Sequence, residues 1–217
     1  MRDLFFWDIE SAGKWKTYNH IDDPKAKELF DRKYEKWEWE NKYGNIETAY
    51  LENAPIFSTF GKICCISYGW WNGSTKVVKS IYGEDEKDIV TKFNQVLIKV
   101  SEKNFDLCGF RIVNYDIPWL LHKLHSYDIK PAEILSIYDK KPWEIRVIDI
   151  SELWKQKFAY SSTFDEVCYE LCVKSPKTDM NGSEVHSAFW NGDYDKIKTY
   201  CESDVSALFD VSKKMRL

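Results

Sequence analysis

The stretch DLFFWDI, residues 3–9, places Leu4 and Phe6 on one side of any strand it forms and Phe5, Trp7 and Ile9 on the other. A strand apolar on both sides belongs inside a sheet whose two faces are both covered. That points to an α/β architecture with helices above and below. Two acids interrupt the pattern. Asp8 and Glu10 are two positions apart and share the face of Leu4 and Phe6. Burying a charge costs several kcal/mol unless it is paired or bound to metal. The carboxyl end of an internal strand is where open α/β sheets bind ligands. Alone, the pair fits a ligand site or a strand end hydrogen-bonded to loops.

The remaining pattern supplies partners for this strand. Residues 62–70 and 75–82 flank WNGS, and Asn72-Gly73 predicts a hairpin. Ile89, Phe93, Val96, Leu97 and Val100 recur at helical spacing over 85–101. FDLCGF (105–110) reads as a strand, YDIPWLLHKLH as a helix with Pro118 in its first turn, and IRVIDI (145–150) as another strand. Helical stretches follow near 151–158, 163–173 and 193–213. The expectation is an α/β fold with a mixed central sheet of about five strands, one antiparallel, flanked by helices. Residues 1–217 read as one domain, with an inserted helical segment at about 13–58. That insert is too long for a bare loop. Asp22, Asp23 and Pro24 mark a helix start within it. It reads as an amphipathic cover or as a substrate guide.

Two more acids stand out. Asp116 follows FDLCGF at the start of a helix, where a capping role is the ordinary reading. In YCESDV, residues 200–205, Ile197, Cys201, Val205 and Leu208 form an inward helical stripe about 80° wide. Asp204 falls about 20° outside its edge, and Tyr200 lies one turn earlier on the same side. An acid that leans into a core requires a partner, and a metal shared with other carboxylates satisfies it. Asp8, Glu10, Asp116 and Asp204 make an oxygen-rich ligand set suited to Mg²⁺ or Mn²⁺. Two such ions are the usual machinery of phosphodiester hydrolysis.

Composition sets the bounds. A net charge of -4 does not mark a strong non-specific nucleic-acid binder, and it does not exclude one that holds cations. The six cysteines lack C-x-x-C spacing and mostly lie in apolar context, so they read as reduced thiols. Cys168 and Cys172 fall on one face of the expected 163–173 helix. With no signal-peptide pattern and no long apolar run, the chain reads as soluble and cytoplasmic.

These motifs carry a resemblance. FWDIES, GFRIVNYDIPWL and YCESDV resemble, in order, the three motifs of the DEDD 3′–5′ exonucleases of the ribonuclease H-like superfamily, in the Tyr-containing subclass. The likeness is greatest to the proofreading exonuclease domain of family B DNA polymerases, where VIDISELW and SPKTDMNGSEV also look familiar. It covers residues 3–12 and about 60–210. The resemblance implies that Asp8, Glu10, Asp116 and Asp204 hold two divalent cations, Mg²⁺ or Mn²⁺, and that Tyr200 orients the attacking water. It implies substrate contacts near Ser11, Ala12 and Asn114. Where such motifs often read Gly-His-Asn, this chain has Gly109-Phe110-Arg111. Arg111 is thus either a phosphate contact or a surface residue. His186 is at a non-matching position and reads as structural. Single-stranded DNA is the expected substrate, with a separately encoded DNA polymerase as the expected partner. The alternatives are an exoribonuclease or an inactive binding module of the same fold.

Overall fold

The structure is a computed structural model that describes residues 3–138, 140–176 and 180–217. Five strands form one sheet among the described residues: β1 (Asp3–Gly13), β2 (Gly61–Asn72), β3 (Thr75–Tyr82), β4 (Phe105–Gly109) and β5 (Val147–Asp149). Their spatial order is β3-β2-β1-β4-β5, so β1 is central. β2 runs antiparallel to both neighbours, while β1, β4 and β5 are parallel. This is the mixed sheet with one antiparallel strand that the sequence predicts. Asn72 pairs with Thr75, so the hairpin loop is Gly73-Ser74, one residue later than expected. Gly73 takes φ 62°, a conformation that side chains disfavour.

The doubly apolar β1 divides two cores. Phe5, Trp7 and Ile9 pack with Ile89, Phe93 and Leu97 of α4 (Glu86–Ser101) and with Leu120 and Leu124 of α5 (Asp116–Ser126). Leu4 and Phe6 face Val205, Leu208 and Phe209 of α9 (Tyr194–Met215). The Phe6 and Phe209 rings lie 4.2 Å apart and are fully buried. Burial of one such side chain stabilises by about 1.5–3 kcal/mol. The predicted inward stripe of α9 (Ile197, Cys201, Val205, Leu208) is buried throughout.

Between β1 and β2 stand α1 (Pro24–Lys36), α2 (Trp39–Tyr43) and α3 (Ile46–Asn53). Asp23 caps α1 by accepting the N–H groups of Lys25 and Ala26, and Pro24 opens the helix. Glu38 at φ 50° breaks the pattern after Trp37, so residues 22–43 form two helices. Ile21, Phe30, Trp39, Tyr50 and Phe60 give the segment its own core. It leaves and rejoins the sheet at one place, where Lys14 N–H donates to Phe60 O at 2.8 Å.

Some boundaries differ from expectation. β1 continues past Ile9 because Ser11, Ala12 and Gly13 pair with Ile63, Lys62 and Gly61 after a bulge at Glu10/Ser11. α6 (Ile150–Lys155) stops where Gln156 turns to φ 48°. α7 (Phe164–Glu170) ends before Cys172, itself at φ 53°, so Cys168 and Cys172 do not share a helix face. α8 (Val185–Asn191) was not anticipated; it stops at left-handed Gly192. In SPKTDMNGSEV, residues 177–179 lie outside the described residues. All six cysteines are free thiols, and five are buried. No helix among the described residues is long and apolar enough to cross a membrane.

Candidate active site

The site forms where two parallel strands part. The β1–β4 ladder ends at Phe6 and Cys108, and β4 continues only beside β5. From there the chain leaves the sheet through residues 110–115 and enters α5. Gly109 marks the parting: a Cβ there would lie 3.0 Å from Trp7 O and 2.9 Å from the Ile112 side chain. Asp8 and Glu10 therefore keep only β2 as a strand neighbour, opposite Ser67 and Cys65. The exposed edge of β1 is closed by Asp116, whose Oδ1 accepts the Ile9 N–H at 3.1 Å. The N-cap position of α5 is Tyr115. Asp116, buried in the first turn, instead ties α5 to β1.

Asp8, Glu10, Asp116, Tyr200, Asp204 and Arg111 line one open cleft of about 400 Å³. β1, α5 and α9 each contribute, so residues far apart in sequence meet. Tyr200 lies one turn before Asp204 on α9, and both line the cleft. Under β1, the Cys201 thiol donates to Asp8 O at 3.6 Å and approaches Asp8 Oδ2 at 3.7 Å. Donor atoms of Asp8, Glu10 and Cys201 lie within 4.8 Å of one another, a spacing that could hold a metal ion. The stripe pattern had identified Cys201 as core packing only.

The carboxylates act on one another. Burial pushes Asp8 well above the usual carboxylate range, and Asp116, Asp204 and Glu10 push it further. Glu10 is raised by burial and then by Asp204, Cys65 and Asp116. Asp116 is pushed up to about 8, chiefly by burial, although the Ile9 N–H favours its ionised form. Confined, mutually repelling carboxylates fit divalent cations, which neutralise the set and favour ionisation. Tyr200 moves above its ordinary value through burial and then through Asp204, Glu10 and Asp8, so it remains a protonated phenol.

Residues 56–217 match the model of a family described as a predicted 3′–5′ exonuclease related to the exonuclease domain of PolB. The chain belongs to that family. The match to this PolB-related exonuclease family includes Asp116, Tyr200 and Asp204 and begins after β1. The family B DNA polymerase of the hyperthermophilic archaeon Pyrobaculum calidifontis has a similar structure, with a TM-score of 0.60 and 13% sequence identity. The likeness covers 100% of this chain and 25% of that polymerase chain, and it supports the ribonuclease H-like α/β fold. No curated protein matches the sequence.

The other expected contact residues of this member of the PolB-related family occupy different settings. Arg111 lines the cleft at φ 59°, and its Nη2 donates to Ser162 O at 3.2 Å. Ser11 is buried; its Oγ donates to Pro55 O at 2.6 Å and lies 3.3 Å from the Tyr115 hydroxyl. Ala12 is fully buried and paired with Lys62. Asn114 is exposed and is not among the described residues that line the cleft. His186 Nδ1 accepts the Gly13 N–H at 2.9 Å, which leaves Nε2–H to donate to Lys16 O at 2.9 Å. It pins the end of β1, and burial lowers its pKa.

Several residues around the site escaped the motif reading. Asp149 accepts the N–H groups of Arg111 at 2.9 Å and Val113 at 3.1 Å, and both N–H and Oγ of Ser151. The sequence reading places it inside the strand IRVIDI; it is also the N-cap of α6 and holds the loop that leads to Asp116. Phe110, Phe164, Asp165 and Ile56 complete much of the cleft wall.

Proposed function

We propose that the protein is a metal-dependent 3′–5′ exonuclease that hydrolyses single-stranded or frayed DNA and releases nucleoside monophosphates. The observation that carries this reading is the convergence of Asp8, Glu10, Asp116, Asp204 and Tyr200 on one cleft. Asp8, Glu10, Asp116 and Asp204 are the residues that would hold two divalent cations, Mg²⁺ or Mn²⁺. Bound there, such ions make water more acidic and stabilise charge on a leaving 3′-oxygen. Tyr200, kept protonated by its surroundings, orients the attacking water as a hydrogen-bond donor and is not its base. Arg111 offers a cation to a substrate phosphate from the cleft wall. Ile56, at the end of the helical segment, supplies an apolar part of the cleft wall. Membership of the PolB-related family supports a role in proofreading beside a DNA polymerase.

The experiment uses 5′-labelled single-stranded DNA and RNA with Mg²⁺ or Mn²⁺. The expected result is a ladder that shortens from the 3′ end, favours DNA and disappears with chelator. The same ladder from Asp8→Ala would overturn the assignment.

A further inference from the structure

Between α6 and α7, the chain displays aromatic side chains that the cleft chemistry does not use. Phe158 is 69% exposed and Tyr160 is 78% exposed, with ring centroids 6.1 Å apart. A tight turn projects them: Phe158 N–H donates to Lys155 O at 2.8 Å. Gln156, in the middle of the turn, takes φ 48° and ψ -114°. That is the first central position of a type II′ turn, where glycine is normally required. The adjacent Lys157 is exposed in a chain whose net charge is -4.

This run is continuous with the cleft. Ser162 O holds the Arg111 guanidinium, and Phe164 packs on Phe110 with centroids 5.0 Å apart. Arg111, Phe110 and Phe164 all line the cleft. Tyr160 is two residues from Ser162, so their Cα atoms are within about 7 Å. Exposed aromatic rings flanked by a cation and next to the cleft have the chemistry of a stacking surface for unpaired bases.

We propose that Phe158 and Tyr160 form a base-stacking platform for the part of a single strand upstream of the nucleotides in the cleft, with Lys157 beside its phosphates. The proposal rests on the exonuclease reading and deepens it. The substrate becomes a strand several nucleotides long, held without regard to sequence because every base presents a π-face.

The test measures Kd in chelator by fluorescence anisotropy, using the full chain. The probes are a labelled trinucleotide of thymidylate and an oligothymidylate of about fifteen nucleotides, near the upper end of known site sizes. Wild type should prefer the longer strand, and F158A/Y160A should lose about tenfold or more of that preference. F158W/Y160W should retain it, since Trp also stacks. An unchanged preference in F158A/Y160A overturns the platform, as does an equal loss of affinity for both lengths. An oligouridylate arm shows whether the platform also serves RNA; an equal loss there supports recognition through base faces. If wild type cleaves neither strand yet F158A/Y160A still loses the length preference, the exonuclease reading fails and the platform stands.

Discussion

Asp8 and Glu10 show how far a single residue's setting is visible in sequence. Alternation along β1 placed both on one face, and the wheel of α9 placed Asp204 at the edge of the buried stripe; both acids and Asp204 line the cleft. The Cys201 thiol beside Asp8 was hidden, because a core position on one helix does not say which strand atom it will meet. Burial of the carboxylates, and secondarily their crowding, has a measurable cost. Asp116 is held at about 8, against an ordinary value of 3.8, so between these pH values the folded, metal-free protein binds more protons than the unfolded chain. Its stability should therefore fall as pH rises through that window. We expect a lower Tm in EDTA at pH 8 than at pH 5, with Mg²⁺ recovering much of the difference. Asp8→Asn should flatten the dependence and raise the EDTA Tm at neutral pH by about 2–4 °C, equivalent to about 1 kcal/mol. Tyr200→Phe removes one aligned donor. It should lower kcat by about 10- to 100-fold with Mg²⁺ affinity unchanged, as measured by calorimetry.

At the level of elements, α4 and α9 were legible from a sustained helical period, β2 and β3 from the Asn72-Gly73 hairpin signal, and β1, β4 and β5 as short apolar runs. α8 was not. Its seven residues are too few to establish a period, and only Gly192 signals where it ends. The loop between β4 and α5 was legible as a motif but not as a shape, since its form depends on Asp149 from a later strand. Asp149→Ala would leave the buried N–H of Ser151 and the part-buried N–H groups of Arg111 and Val113 without their acceptor. We expect a loss of about 3 kcal/mol, or a Tm lower by about 6–12 °C. Amide exchange should accelerate at Arg111 and Val113 before it does in α4. Asp149→Asn, which keeps one acceptor oxygen, should recover part of the loss.

At the scale of the whole molecule, the carboxylates depend on a frame that contains its own buried ion pair. Lys123 of α5 meets Glu86 of α4 at 3.1 Å and donates to Gly61 O of β2 at 2.6 Å, with both charged side chains almost wholly buried. Burial holds Lys123 down at about 8, although Glu86 favours its charged form. Lys123→Met would leave Glu86 buried without its cation and should cost about 3–5 kcal/mol in chemical denaturation. Because α5 carries Asp116, metal affinity should weaken in the same variant. The meeting of Lys14 with Phe60 has a different consequence. The helical segment hangs from the sheet by two ends that are already hydrogen-bonded, so β1 and β2 do not depend on its contour length. It is a cassette: its length could change while the strands that carry the carboxylates keep their pairing. What such a change would alter is the part of the cleft wall that Ile56 supplies, and with it the shape of the opening over the carboxylates.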